Sequence, residues 1–163
     1  MLKEAFDLLL KQLVPAVQAQ YGDRLVTIAV YGSVARGTMR YDSDVDVLIV
    51  AKELPKGRMK RRREFDVVEE ALAPVFAELR GQGVTTTLAA VLKTPEEVEV
   101  GSPLFLDMIE DVKILYDREG FFAQRLNRLR FRLQELGARR IWRGNVWYWD
   151  LKPDYQPGEV FEL

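Results

Sequence analysis

The run Gly32-Ser33-Val34-Ala35-Arg36-Gly37, followed after five residues by Ser43-Asp44-Val45-Asp46, constrains this chain more than any other part of it. Upstream, Leu25-Val26-Thr27-Ile28-Ala29-Val30-Tyr31 is apolar and β-branched, the pattern of a buried strand. Gly32 then permits a sharp turn and a close approach to the backbone. Ser33 is expected to cap a short helix over about 33–37, whose free N–H groups and positive end attract an anion. Arg36 adds a planar cationic fork suited to phosphate oxygens.

The second half of the run reads as another strand, over 44–51, with Asp44 and Asp46 alternating with Val45 and Val47. Residues two apart on a strand share a face, with Cα atoms about 6.6 Å apart. Two carboxylates so placed repel each other unless a cation sits between them. Magnesium takes one or two carboxylates together with substrate phosphates. A Walker A loop does not fit, because no Lys follows Gly37. Asp42, Asp44, Asp46 and Glu53 have EF-hand spacing, yet Val47 stands where that loop requires glycine.

The pattern Gly32-Ser33-x-x-Arg36-Gly37-x5-Ser43-Asp44-x-Asp46 resembles the signature of the DNA polymerase β-like nucleotidyltransferase superfamily, in particular its minimal nucleotidyltransferases. The resemblance implies an α+β nucleotidyltransferase fold, with a small mixed β-sheet flanked by helices. It also implies Mg2+-dependent transfer of a nucleoside monophosphate from an NTP, with ATP favoured, to a hydroxyl. Asp44 and Asp46 would be the catalytic metal ligands; Gly32, Ser33, Arg36, Gly37 and Ser43 would bind the nucleotide. Among minimal members the acceptor it suggests is a tyrosine of a helical-bundle toxin of the HEPN family, with this chain as antitoxin.

Composition narrows the chemistry independently. With 163 residues, the chain can bury a proper core. It contains neither Cys nor His, which excludes disulfides, the usual zinc sites, cysteine nucleophiles and a histidine base. No apolar run reaches membrane-spanning length and the N-terminus lacks a signal-peptide pattern, so a cytoplasmic location is expected. The net charge of -1 gives no global attraction to nucleic acid.

Periodicity supplies the other elements. Leu2, Phe6, Leu9, Leu10 and Leu13 stripe a first helix that Pro15 should kink, and Phe65, Val68, Leu72, Val75 and Leu79 stripe a long helix over 58–80 that Pro74 should bend. A third strand is expected over Val84–Leu92, a short one over Val112–Tyr116, and a helix from Phe122 to Leu136 ended by Gly137. Thr94-Pro95-Glu96-Glu97 is a capping box. The expected organisation is a core over 1–95 and a packed C-terminal extension over 96–163, whose Trp142, Trp147 and Trp149 flank a turn at Arg143-Gly144-Asn145.

Active relatives of the superfamily carry a third carboxylate on strand three, and here Val84–Leu92 contains no acid. The hydroxyls of Thr85, Thr86 and Thr87 cannot replace a general base near neutral pH. Two readings therefore stand beside each other: a transferase with its base elsewhere, and a nucleotide-binding sensor. A third comes from Lys56–Arg63, where six cations in eight residues open a helix. They are expected to lie away from the carboxylates and to meet a polynucleotide or an acidic partner, unless they form only a solvated face. Trp147 and Trp149 are expected to pack in the core, on one strand face, with Tyr148 on the other.

Overall fold

The computed structural model describes residues 1–144 and 146–163; Asn145, one residue of the expected turn, lies outside them. Six strands and six α-helices follow in chain order: α1 (Leu2–Tyr21), β1 (Leu25–Tyr31), α2 (Gly32–Arg36), β2 (Val45–Ala51), α3 (Arg58–Gly81), β3 (Leu88–Lys93), α4 (Pro95–Val100), α5 (Leu104–Met108), β4 (Val112–Asp117), α6 (Phe121–Leu136), β5 (Arg139–Arg143) and β6 (Val146–Asp150). The four-stranded sheet has the order β3-β2-β1-β4, with β2 parallel to β3 and the other neighbours antiparallel. It is the α+β architecture with a small mixed sheet. Its β4 edge comes from beyond residue 95, and β5 and β6 form a separate hairpin.

Strand alternation divides the core between the sheet's two faces. Ile28, Val30, Val45, Val47 and Ile49 pack against Phe6, Leu9 and Leu13 of α1 and Phe65, Val68 and Leu72 of α3. Ala29, Leu48 and Val50 meet Val98 of α4, Phe105 and Met108 of α5, and Phe122, Leu126 and Leu129 of α6. Burying one such Phe or Leu contributes roughly 1.5–3 kcal/mol. Every residue of β2 is buried except Asp46, which is only half-covered. A half-buried carboxylate in a wholly apolar strand marks where the scaffold opens.

Several boundaries differ from the sequence expectation. α1 and α3 run unbroken through Pro15 and Pro74. β3 begins at Leu88 rather than Val84, because the threonine segment is tied to the loop before β2: the Thr85 N–H donates to the Tyr41 carbonyl at 2.8 Å. Asp44 falls one residue ahead of β2. Around α4 the Thr94 hydroxyl accepts from the Glu97 N–H and the Glu97 carboxylate accepts from the Thr94 N–H, so the capping box forms as read. Trp149 lies against the second core, its indole N–H donating to the Leu106 carbonyl at 3.2 Å, whereas Trp142 is exposed.

Candidate active site

The site forms where β1 ends and β2 begins. In their antiparallel ladder Tyr31 lies opposite Asp46, and both belong to the face covered by α4, α5 and α6. Gly32 follows at once with φ of 74°, and its Cα lies directly against the Asp46 carboxylate: a Cβ there would stand 2.3 Å from Oδ2. The glycine is thus required twice, by its backbone conformation and by its neighbour.

Ser33 does not cap α2. The helix starts at Gly32 with Tyr31 in the N-cap position and no side-chain cap bond, which leaves the Ser33 hydroxyl free of that role. Gly37 closes α2 in the left-handed conformation, φ 77°. Ser43 fixes the approach to the carboxylates: its Oγ accepts from the Arg40 N–H at 2.7 Å and its N–H donates to the Arg40 carbonyl. Asp44 is held by Thr87, whose hydroxyl donates to Oδ1 at 2.8 Å and whose N–H donates to the same oxygen at 3.3 Å. One threonine of the expected trio therefore does reach the site, as an orienting donor.

Burial raises the Asp46 carboxyl above its ordinary value of 3.8, the Asp44 charge raises it further, and Arg36 opposes them. Both aspartates and Arg36 therefore share one electrostatic neighbourhood. Burial likewise pushes the Tyr31 phenol up to about 12, helped by Asp46 and by Asp107. Asp107, on α5, is itself raised by burial, against the lowering fields of Arg140 and Arg36. It is a further carboxylate beside the site that sequence reading missed. A lone acid in Leu104-Phe105-Leu106-Asp107-Met108 carries no motif, and only the docking of α5 on the sheet brings it near Tyr31 and Arg36.

The acid missing from the third strand can also be located. Across the parallel ladder Asp46 pairs with Ala89, an exposed residue, so a methyl group occupies the place beside it, and Thr85, Thr86 and Thr87 all precede the strand. Among the described residues no three acidic side chains gather as a metal cage. Asp44 and Asp46 present oxygen donors only, the set suited to a hard divalent cation that completes its shell with phosphates and water.

The Asp46 shift has a measurable consequence. The native state binds that proton more tightly than the unfolded chain, so stability falls as pH rises from 3.8 through the raised value. Asp46→Asn is therefore expected to raise the metal-free Tm at pH 7, by about 1–2 °C given that solvent screens a half-exposed group. The advantage over wild type disappears below pH 3.8. Calorimetric melts of both proteins across pH check this, and equal Tm values at pH 7 would contradict it.

The nucleotidyltransferase domain family matches residues 10–116, a span that runs from within α1 through α5 and takes in all of β4 but its last residue. A Methanocaldococcus jannaschii protein bearing the provisional name protein adenylyltransferase is 33% identical over 125 residues, covering 75% of this chain and 79% of that protein. Among solved structures, a chain of a toxin–antitoxin complex with AMP-PNP gives a TM-score of 0.48 at 15% identity, over 78% of this chain and 92% of that one. A chain from the tri-AMPylated Shewanella oneidensis HEPN toxin with its MNT antitoxin gives 0.46 at 14% identity, over 80% and 92%. The first two comparisons decide the matter: this chain belongs to the nucleotidyltransferase family. It is a transferase by family.

Proposed function

We propose that this protein transfers AMP from ATP to a hydroxyl group, with a tyrosine of a partner protein as acceptor. The single observation behind this reading is the junction of Gly32 with Asp46 and Asp44 at the start of α2, in a chain 33% identical to a protein named for adenylyl transfer.

The roles follow from chemistry. The α2 backbone from Gly32 and the Ser33 hydroxyl bind the terminal phosphates, and Arg36 adds charge to them. Asp44, oriented by Thr87, and Asp46, pressed against Gly32, would hold Mg2+. When bound, that ion supplies charge neutralisation for the triphosphate and the departing pyrophosphate. The acceptor oxygen bonds to the α-phosphorus, the bond from that phosphorus to the bridging oxygen breaks, and pyrophosphate leaves. Because such transfers depend chiefly on positioning and charge, they tolerate a modest base. Asp107 is the carboxylate available to take the hydroxyl proton, its raised pKa making it a better acceptor than an ordinary aspartate.

Incubation with each α-labelled NTP, Mg2+ and lysate from the source cells tests the reading. Label from ATP is expected on a protein, retained through denaturation. Tight Mg·ATP binding with no label on any acceptor would favour the nucleotide sensor instead.

The proton acceptor has its own test. Asp107→Asn is expected to slow single-turnover transfer by a factor of about 100 or more, within the usual contribution of a positioned base. Ala89→Asp, which puts a carboxylate beside Asp46, should raise the rate at least about 10-fold in the same background. Unchanged rates in Asp107→Asn would assign the base to the acceptor or to another side chain.

A further inference from the structure

A cleft of about 820 Å³ lies at the far end of the sheet from the carboxylates, between the start of α3 and the outer edge of β3. Asp44 and Asp46 stand where β2 begins. The cleft is lined by Ala90, Leu92 and Lys93 in the latter part of β3, which runs parallel to β2. It belongs to no part of the site described above.

Three features of the cleft bear on its occupant. The first is charge. Arg61 and Arg62 also line it, but Arg61 is paired with Glu97, and Arg62 with Asp66 and Glu69. Arg58, Arg63 and Lys93 line it too, and no carboxylate pairs with them among the described residues. Cations are disfavoured at the start of a helix, so folding alone gives little reason to collect them there.

The second feature is a free strand edge. Among the described residues β3 pairs only with β2. The Val45 N–H donates to the Thr87 carbonyl, so along this strand residues 87, 89, 91 and 93 turn their polar backbone groups toward β2. Leu88, Ala90 and Leu92 therefore turn theirs outward. The Leu92 carbonyl confirms the phase, since it accepts from the Arg61 guanidinium at 3.2 Å. The third feature is apolar: Met59 on the cleft wall is 72% exposed.

We propose that this cleft docks an extended acidic segment of a partner protein, added alongside β3. Its backbone pairs with the outward groups of Leu88 and Ala90, its carboxylates meet Arg58, Arg63 and Lys93, and an apolar side chain between them covers Met59. Strand addition draws affinity from the main chain and specificity from alternate side chains. A polynucleotide uses neither the strand edge nor the methionine. It also gains less from a patch in which Arg61 and Arg62 are already neutralised, on a protein of net charge -1. Lys93 stands opposite Val50, at the other end of the β2–β3 ladder from Asp46, so the cationic end of this surface is separate from the carboxylates.

Fluorescence anisotropy with a labelled peptide alternating Glu and Val tests the proposal, with oligouridylate and a Lys-Val peptide of equal length as comparisons. The acidic peptide is expected to bind and the other two to bind at least about 10-fold more weakly. The triple variant Arg58→Glu/Arg63→Glu/Lys93→Glu should lose at least about 10-fold in peptide affinity, with Mg·ATP binding unchanged. Ala90→Pro removes an outward N–H without touching the ladder to β2, a place where a strand accepts proline, and should also weaken the peptide. Circular dichroism verifies the fold of each variant, and the charge reversals keep the test decisive if Ala90→Pro does not fold. Tighter binding of oligouridylate, absence of peptide binding, or full affinity in the triple variant overturns the proposal.

Discussion

In the double variant Asp44→Ala/Asp46→Ala, Mg2+-dependent ATP binding is expected to fall below detection by calorimetry, and label transfer with it. On the proposed reading the two carboxylates hold the cation, and the triphosphate depends on that cation for most of its affinity. The single changes should differ. Asp46 is pressed against Gly32 and half-buried, so its loss removes the more rigidly placed ligand. Asp44 is exposed and oriented through Thr87, so Thr87→Val should show a milder version of the Asp44→Ala defect, near the roughly 10-fold expected for one lost hydrogen bond to a charged group. The metal-free double variant should keep its fold, since removing two neighbouring negative charges relieves repulsion. Undiminished Mg2+-dependent ATP binding in the double variant would remove both aspartates from the proposed site.

The central run was legible because its chemistry is local. Strand, glycine turn, short helix and alternating aspartates all fall between Leu25 and Ala51, and each follows from the conformational needs of consecutive residues. The helical stripes read equally well, since Phe65, Val68 and Leu72 announce their face by spacing. What the sequence concealed depends on register and docking. β-propensity carried the third strand back to Val84, because threonine favours strands wherever it stands. The structure instead commits Thr85 and Thr87 to the loop around Asp44, and only the β2–β3 register identifies Ala89 as the neighbour of Asp46. Asp107 was silent for the same reason, its place fixed by how α5 seats Phe105 and Met108 on the sheet. Ser33 shows the opposite limit. A serine after a turning glycine is a natural cap, but here Gly32 already begins the helix.

Gly32→Ala is expected to be the most damaging single substitution that leaves every polar side chain of the site in place. Two costs arise and can be separated. A non-glycine residue at φ 74° pays backbone strain, on the order of 1–3 kcal/mol. The new methyl would also stand 2.3 Å from the Asp46 Oδ2, so either the carboxylate or the β1–α2 turn must move. A displacement near 1 Å at such a site typically costs about 100-fold in rate, and the same movement should weaken Mg·ATP binding. Gly137, at the end of α6, supplies the control. Its φ is 69°, and a Cβ there meets nothing within 4 Å. Gly137→Ala therefore carries the strain without the collision. The two variants should show similar losses of Tm, while only Gly32→Ala loses metal-dependent ATP binding and transfer. Equal functional losses would mean that general destabilisation is what matters, and that the contact between Gly32 and Asp46 does not position the carboxylate.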